Sequence, residues 1–366
     1  MRTELSRSLA FRLHLDVPLI LGLLALSAIG LLVLYSAGGQ STDLLSRQAV
    51  RLGMAFVIMF VVAQIAPVQY RYWAPWLYGS GLVLLVLVLV AGDAGGGAAR
   101  WLNLGPVRFQ PSELLKVTVP MMVAYYLAER ALPPTLGRIA LALVVALLPT
   151  WLIARQPDLG TALLVASSGL FVLFLAGITW RLLALAATAA IAAAPVLWHF
   201  MHDYQRKRVI TFLDPEKDPL NAGYHIIQSK IAIGSGGVYG KGLFNGTQSQ
   251  LEFLPERSTD FIFAVLSEEF GFTGVVILLM VYAFVILRGL YLALAAQETF
   301  ARLLGGGVVL TFFMYVFVNI GMVSGLLPVV GVPLPLVSYG GTSMVTIMAA
   351  FGLLMSVHTH RRLLSE

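Results

Sequence analysis

The chain has 366 residues, 58% hydrophobic and only 11% charged, with no cysteine. Soluble globular domains carry about 25% charged residues, so this composition belongs to an integral membrane protein. The absence of cysteine excludes disulfides, thiolate metal sites and cysteine catalysis, and a net charge of +6 over this length reflects membrane topology, not nucleic-acid binding.

Arg2, Arg7 and Arg12 precede an apolar run, in the order of a secretory leader. That run stays charge-free over 17–42, too long for a leader, and is expected to remain as a first transmembrane helix. A helix needs about 20 apolar residues to cross a bilayer. Charge-free runs predict ten, at 17–36, 50–66, 72–92, 111–129, 138–154, 159–178, 181–199, 261–287, 302–324 and 342–358. The expected fold is therefore all-α and polytopic, one integral membrane domain over 1–366. Ten crossings put both termini on one side, with eleven arginines there against six short-loop cations opposite. That asymmetry predicts cytoplasmic termini.

The fourth span opens with PSELLK, where Glu113 and Lys116 are three residues apart and share a helix face. A structural ion pair is the plain expectation, and a substrate-facing pair the sharper one. Arg100 and Arg108 lie just upstream in a Gly-rich loop, and Arg155 and Asp158 follow at the next turn on that side. The long segment 201–260, between helices 7 and 8, holds fourteen charges, seven of each sign. That is too polar for membrane core and too long for a passive turn, so a functional extracytoplasmic loop is expected. It opens on Arg206, Lys207 and Arg208. Such cations near a membrane plane suit a lipid-linked phosphate or pyrophosphate, with scattered loop charge as the alternative.

Residues 234–242, GSGGVYGKG, look like a phosphate loop but lack the Walker spacing, and read as a flexible loop or re-entrant turn. Asp260 stands where loop gives way to helix. It is either an N-terminal cap or a half-desolvated general base. Glu268 and Glu269 follow inside the same span, facing a cavity or held in a structural pair. Residues 325–341, GLLPVVGVPLPLVSYGG, cannot form a continuous helix and should line a cavity. His358 and His360 are two apart, which argues against a metal site there.

Several of these runs resemble a known family. DYQRKRVITFLDPEKDPLNAGYHIIQSKIAIGSGGVYGKG, LPERSTDFIFAVLSEE and PVVGVPLPLVSYGG, with upstream WLNLGPVRFQPSELLK and QPDLGTALL, are similar to the SEDS proteins of shape, elongation, division and sporulation. TQSQLEFLPERSTDFIF is closer to the elongation branch than to the division branch. The resemblance implies a peptidoglycan glycosyltransferase of the bacterial inner membrane, with its active site outward and lipid II as substrate. It implies a class B penicillin-binding protein and the elongation machinery as partners, and places the family's essential carboxylate on Asp260. The acid and base of its PSExxK motif fall on Glu113 and Lys116. The residues expected at the substrate are Asp260 as base, then Lys116, Glu113, Arg108, Arg206 and Asp158. No cofactor is assigned, and a weakly held divalent cation, Mg or Mn, is left open on oxygen ligands such as Asp260. A lipid II flippase and a non-catalytic scaffold are the rival readings.

Overall fold

A computed structural model describes residues 13–91, 100–104, 107–201, 203–217, 222–251, 253–254 and 256–360. Ten long helices fall on the ten predicted segments. They are α1 (Val17–Ala37), α2 (Thr42–Ala63), α3 (Pro67–Ala91), α4 (Pro111–Ala128), α5 (Leu136–Arg155), α6 (Leu159–Leu175), α7 (Trp180–Phe200), α11 (Ile262–Leu294), α12 (Thr299–Val323) and α13 (Thr342–Thr359). By length and composition seven of them can cross a membrane: α1, α2, α3, α5, α11, α12 and α13. The others are short of apolar length or, like α4, carry charge. The chain is a multi-pass membrane protein.

The segment 201–260 is more ordered than a loop. It contains α8 (Asp203–Leu213), α9 (Ala222–Ser235) and the single turn α10 (Thr247–Gln250). The Gly-rich run after α3 also folds, into a hairpin of β1 (Leu102–Leu104) and β2 (Val107–Phe109) with Asn103 opposite Arg108. Residues 324–341 form no helix or strand.

Local chemistry sets the helix starts. Asp16 caps α1, its Oδ1 accepting from Leu19 N at 2.9 Å. The same carboxylate takes both Nε and Nη2 of Arg288 on α11, at 3.0 and 2.7 Å, and so fixes α1 against α11. At Gly352 the bundle is tight: a Cβ there would stand 2.3 Å from Met59 O, so only glycine lets α13 approach α2 this closely.

Two apolar cores result. One joins α1, α2, α11, α12 and α13, and the other joins α3, α4, α5 and α6 with parts of α12 and α13. α2 and α3 are consecutive yet do not pack along one another. Among the described residues α7 packs closely on no other helix, and Leu185 and Ile191 are exposed on it.

The run 234–242 is not a free loop. Lys241 and Gly242 donate their N–H groups to Glu268 O and Glu269 O, at 3.0 and 2.9 Å. Phe272 and Thr273 donate back to Gly237 O and Val238 O. α11 breaks to receive this run, with Gly271 at φ 63° and ψ −161°. The structural-pair reading holds for Glu268, paired with Lys241, while Glu269 is held by a serine hydroxyl. Glu268 accepts from Lys241 Nζ at 2.7 Å, from Thr247 Oγ1 and from Gln248 N, while Glu269 Oε1 accepts from Ser36 Oγ at 2.5 Å.

Candidate active site

Between the two cores, at the end of the bundle that carries segment 201–260, lies a polar cavity of about 450 Å³. Its wall brings together Asp260, Lys116, Glu113, Asp158, Arg208 and Arg100, with residues 330–333 and 340–343 opposite. Sequence spacing had separated these groups by up to 160 residues, and the crossing of α4, α6, α8 and α12 unites them.

Asp260 is not a cap. The N-cap position of α11 is Phe261, which makes no side-chain cap bond. Two backbone clamps hold the Asp260 turn instead. Asn319, fully buried on α12, donates Nδ2 to Asp260 O at 2.9 Å and to Val332 O at 2.7 Å. Ser338 Oγ donates to Thr259 O at 2.5 Å, and Tyr339 N donates to Ser258 O at 2.8 Å. The 325–341 segment is thus tied to the Asp260 turn at three points. Gly331 stands beside the carboxylate, where a Cβ would meet Asp260 Oδ2 in ordinary contact at 3.4 Å, so its positive φ of 73° and not space is what calls for glycine.

Among the described residues the Asp260 carboxylate accepts no hydrogen bond. Burial, then the nearby charge of Glu256, raises its pKa from 3.8 to about 6. Desolvation disfavours the charged form, which makes this carboxylate a stronger base than an ordinary aspartate.

Glu113 and Lys116 pair at 2.7 Å, with side-chain exposures of only 8% and 6%. The pair still faces the cavity. Glu113 Oε2 is buried without a hydrogen-bond partner, and Lys116 Nζ lies 5.2 Å from the Tyr315 ring centroid, within cation–π range. Asp158 lines the cavity but is also structural. Its Oδ1 caps α6 through Thr161 N, and its Oδ2 accepts from Gln110 Nε2, both at 3.2 Å.

Arg206 differs from expectation, because it is not among the residues lining the cavity. Its Nε and Nη2 donate to Trp198 O and His199 O at 3.0 and 2.6 Å, closing the end of α7. Arg208, two residues along α8, lines the cavity in its place. Positions two apart on a helix point to nearly opposite faces, so only one of them could. The Arg108 side chain lies outside the described part of the structure. Asn319 was missed in the sequence, although a lone amide in an apolar span is itself a signal. Among the described residues no group of three or more His, Cys, Asp or Glu is placed to hold a metal ion.

A second, larger cavity of about 1050 Å³ adjoins the first. It is a groove between α2 and α3, floored by α4 and α13 and lined mainly by apolar residues such as Met54, Leu77, Val117, Met121 and Leu353. Trp101, Gln110, Glu113, Gly341 and Thr342 line both cavities. A polar chamber therefore continues into an apolar channel.

The sequence profile of the FtsW/RodA/SpoVE family, described as cell cycle proteins, matches residues 11–363. The chain belongs to this family of SEDS membrane proteins. It is 58% identical over 356 residues to the peptidoglycan glycosyltransferase MrdB of Escherichia coli K12, covering 97% of this chain and 96% of that one. It is 34% identical to the peptidoglycan glycosyltransferase RodA of Treponema pallidum, over 94% of this chain and 98% of that one. Among solved structures, a chain from work on the coordination of polymerization and crosslinking by a peptidoglycan synthase complex superposes with a TM-score of 0.83 at 36% identity, covering 95% of this chain and 98% of that one. The crystal structure of the rod shape determining protein RodA of Thermus thermophilus superposes with a TM-score of 0.72 at 32% identity, over 95% and 97% of the two chains.

Proposed function

We propose that this chain is a peptidoglycan glycosyltransferase that polymerises lipid II, with Asp260 as its general base. The observation that carries the assignment is a half-buried carboxylate, without a hydrogen bond among the described residues, that shares with Lys116 and Arg208 a chamber opening into an apolar groove. A sugar on a polyprenyl pyrophosphate has the same division, a polar head on a long apolar tail.

The donor sugar is α-linked to pyrophosphate and the glycan is β-1,4-linked, so configuration inverts and a single base suffices. Asp260 takes the proton of the acceptor 4-hydroxyl as its oxygen attacks the donor C1. The bond from C1 to pyrophosphate breaks, and both electrons leave with the polyprenyl pyrophosphate. A developing pyrophosphate charge needs cations, not an acid. Lys116, Arg208 and Arg108 supply them in our assignment, and Glu113 holds the Lys116 ammonium in place. Asp158 shapes the chamber by fixing the start of α6 and the Gln110 side chain.

We infer further that residues 1–366 act as one integral membrane unit with all ten long helices crossing. The termini then lie in the cytoplasm, and segment 201–260 with the chamber lies outside the bacterial inner membrane. A class B penicillin-binding protein of the elongation machinery is the expected partner. Support comes from the arginine asymmetry and from the solved synthase complex whose name couples polymerization to crosslinking.

The test is polymerisation of purified lipid II by the full chain with its partner, wild type beside Asp260→Asn. Long glycan from wild type and none from an equally folded variant supports the assignment. Lipid movement in liposomes without polymer, or partner binding without either, would replace it with the flippase or the scaffold.

A further inference from the structure

Two cations near the site have no part in the mechanism above: Arg100, whose guanidinium donates to Gln156 O and Pro157 O, and Arg51. Arg51, on α2, is half-buried, and its guanidinium carbon lies 4.7 Å from the Tyr339 ring centroid. One turn earlier, Gln48 ties α2 to the 325–341 segment. Its Nε2 donates to Ser338 O at 3.2 Å, and its Oε1 accepts from Gly340 N at 3.5 Å. The position of Arg51 is therefore fixed from both sides. Arg47 on the same helix is committed to an exposed pair with Asp43 at 2.8 Å. No carboxylate among the described residues lies within ion-pair reach of Arg51. A guanidinium over a ring face keeps its N–H edges for another ligand, and a planar fork of donors matches a phosphate.

The two cavities divide the cations. Lys116, Arg208 and Arg100 share the chamber with Asp260, whereas Arg51 lines the groove and not the chamber. It stands at the threshold between them. Gly341 lines both cavities, and Arg51 Nε lies 3.7 Å from where a Cβ on Gly341 would be.

Transfer chemistry assigns the two positions. Each turnover brings together two lipid pyrophosphates. The donor's is bonded to the carbon under attack, so it must share the chamber with the base. The acceptor attacks through a hydroxyl on its far sugar, so its own pyrophosphate lies a disaccharide's length from Asp260, with its tail in lipid. A lone cation at the sugar end of an apolar groove meets that requirement.

We propose that Arg51 anchors the pyrophosphate of the acceptor lipid, whose polyprenyl tail runs along the groove between α2 and α3. This deepens, and rests on, the glycosyl-transfer assignment above.

The test is one round of transfer from lipid II capped with galactose at its 4-hydroxyl, which can only donate, to lipid II as acceptor. The full chain with its partner is compared with Arg51→Gln and Arg51→Lys. Arg51→Gln should raise the acceptor KM about tenfold, the scale of one lost charge-assisted hydrogen bond. The donor KM and kcat should be unaltered, and Arg51→Lys should recover part of the loss. Both KM values rising together, or neither, overturns the proposal. A second measurement needs no turnover: binding of a fluorescent undecaprenyl pyrophosphate to the detergent-solubilised chain. Wild type should bind two molecules and Arg51→Gln one. Equal stoichiometry, or displacement from the Arg51-dependent site by excess phosphatidylglycerol, overturns the anchor. A wild type inactive in transfer that still shows the two-to-one difference refutes the glycosyl-transfer assignment and leaves the anchor standing.

Discussion

Replacing Asp260 by Asn removes a charge from a place that burial makes unfavourable for it, so the substitution should disable the chain and stabilise it together. The unfolded carboxyl titrates near 3.8 and the folded one near 6. Between those values the unfolded chain gives up its proton while the folded chain keeps it, so stability falls as pH rises through that window. At about 1.4 kcal/mol per unit the full cost is about 3 kcal/mol above pH 6, trimmed somewhat by water at the cavity mouth. Asn carries no such cost. The thermal midpoint of Asp260→Asn in detergent should exceed that of wild type by a few degrees at pH 8. At pH 5 the gap should shrink to about half, because the folded carboxyl is then mostly protonated and only the ionisation of the unfolded chain between 3.8 and 5 still separates the two proteins. Tryptophan fluorescence during heating, read at pH 5, 6, 7 and 8, measures this directly. Wild-type polymerisation should also fall below about pH 6, as the base becomes protonated. A variant less stable than wild type at pH 8, or a gap independent of pH, would refute the argument that desolvation tunes this carboxylate.

Three further outcomes test the neighbouring groups. Lys116→Met should cost about 3–5 kcal/mol by stranding a buried Glu113, whereas Lys116→Met with Glu113→Leu should cost far less, measured by thermal unfolding in a double-mutant cycle. Arg208→Gln should cut polymerisation about tenfold or more with the fold intact, while Arg206→Gln should leave kcat alone and increase protease cleavage at the end of α7. Asn319→Leu removes both amide donations and should cost about 2–4 kcal/mol, since two buried carbonyls lose their partners; kcat should fall with the lipid II KM unchanged, and a normal kcat would show that the clamp does not position Asp260.

How much of this was legible from the residues depends on the range of the forces involved. Helix positions follow from runs of apolar residues, a local property, and all ten predicted segments became helices. Glu113 and Lys116 are an i, i+3 pair, so their contact is also local. By contrast, the choice between Arg206 and Arg208 depends on how α8 is rotated against the bundle, which tertiary packing sets. The run 234–242 reads from its glycines as a flexible loop or a re-entrant turn. Its rigidity comes from main-chain bonds to a break in α11 far along the chain, and Gly271 carries no pattern that announces that break. The cap-or-base ambiguity of Asp260 was of the same kind. The cap reading fell by one residue of offset, with Phe261 taking the cap position and Asn319 binding the Asp260 carbonyl from another helix, and the base reading stands as the proposal.

The divergence of α2 from α3 bears on how a polymerase of this kind could stay attached to its product. Drawing a polyprenyl chain out of hydrocarbon costs about 0.8 kcal/mol for each methylene, so no tail leaves the bilayer during a turnover. In the proposed arrangement a slot open along its side lets a fresh acceptor drift in entirely within the plane of the membrane, its tail still in hydrocarbon. The growing strand, as the donor in that arrangement, would stay held at the chamber. Diffusion in two dimensions then sets resupply, and the enzyme need never release its polymer to reload.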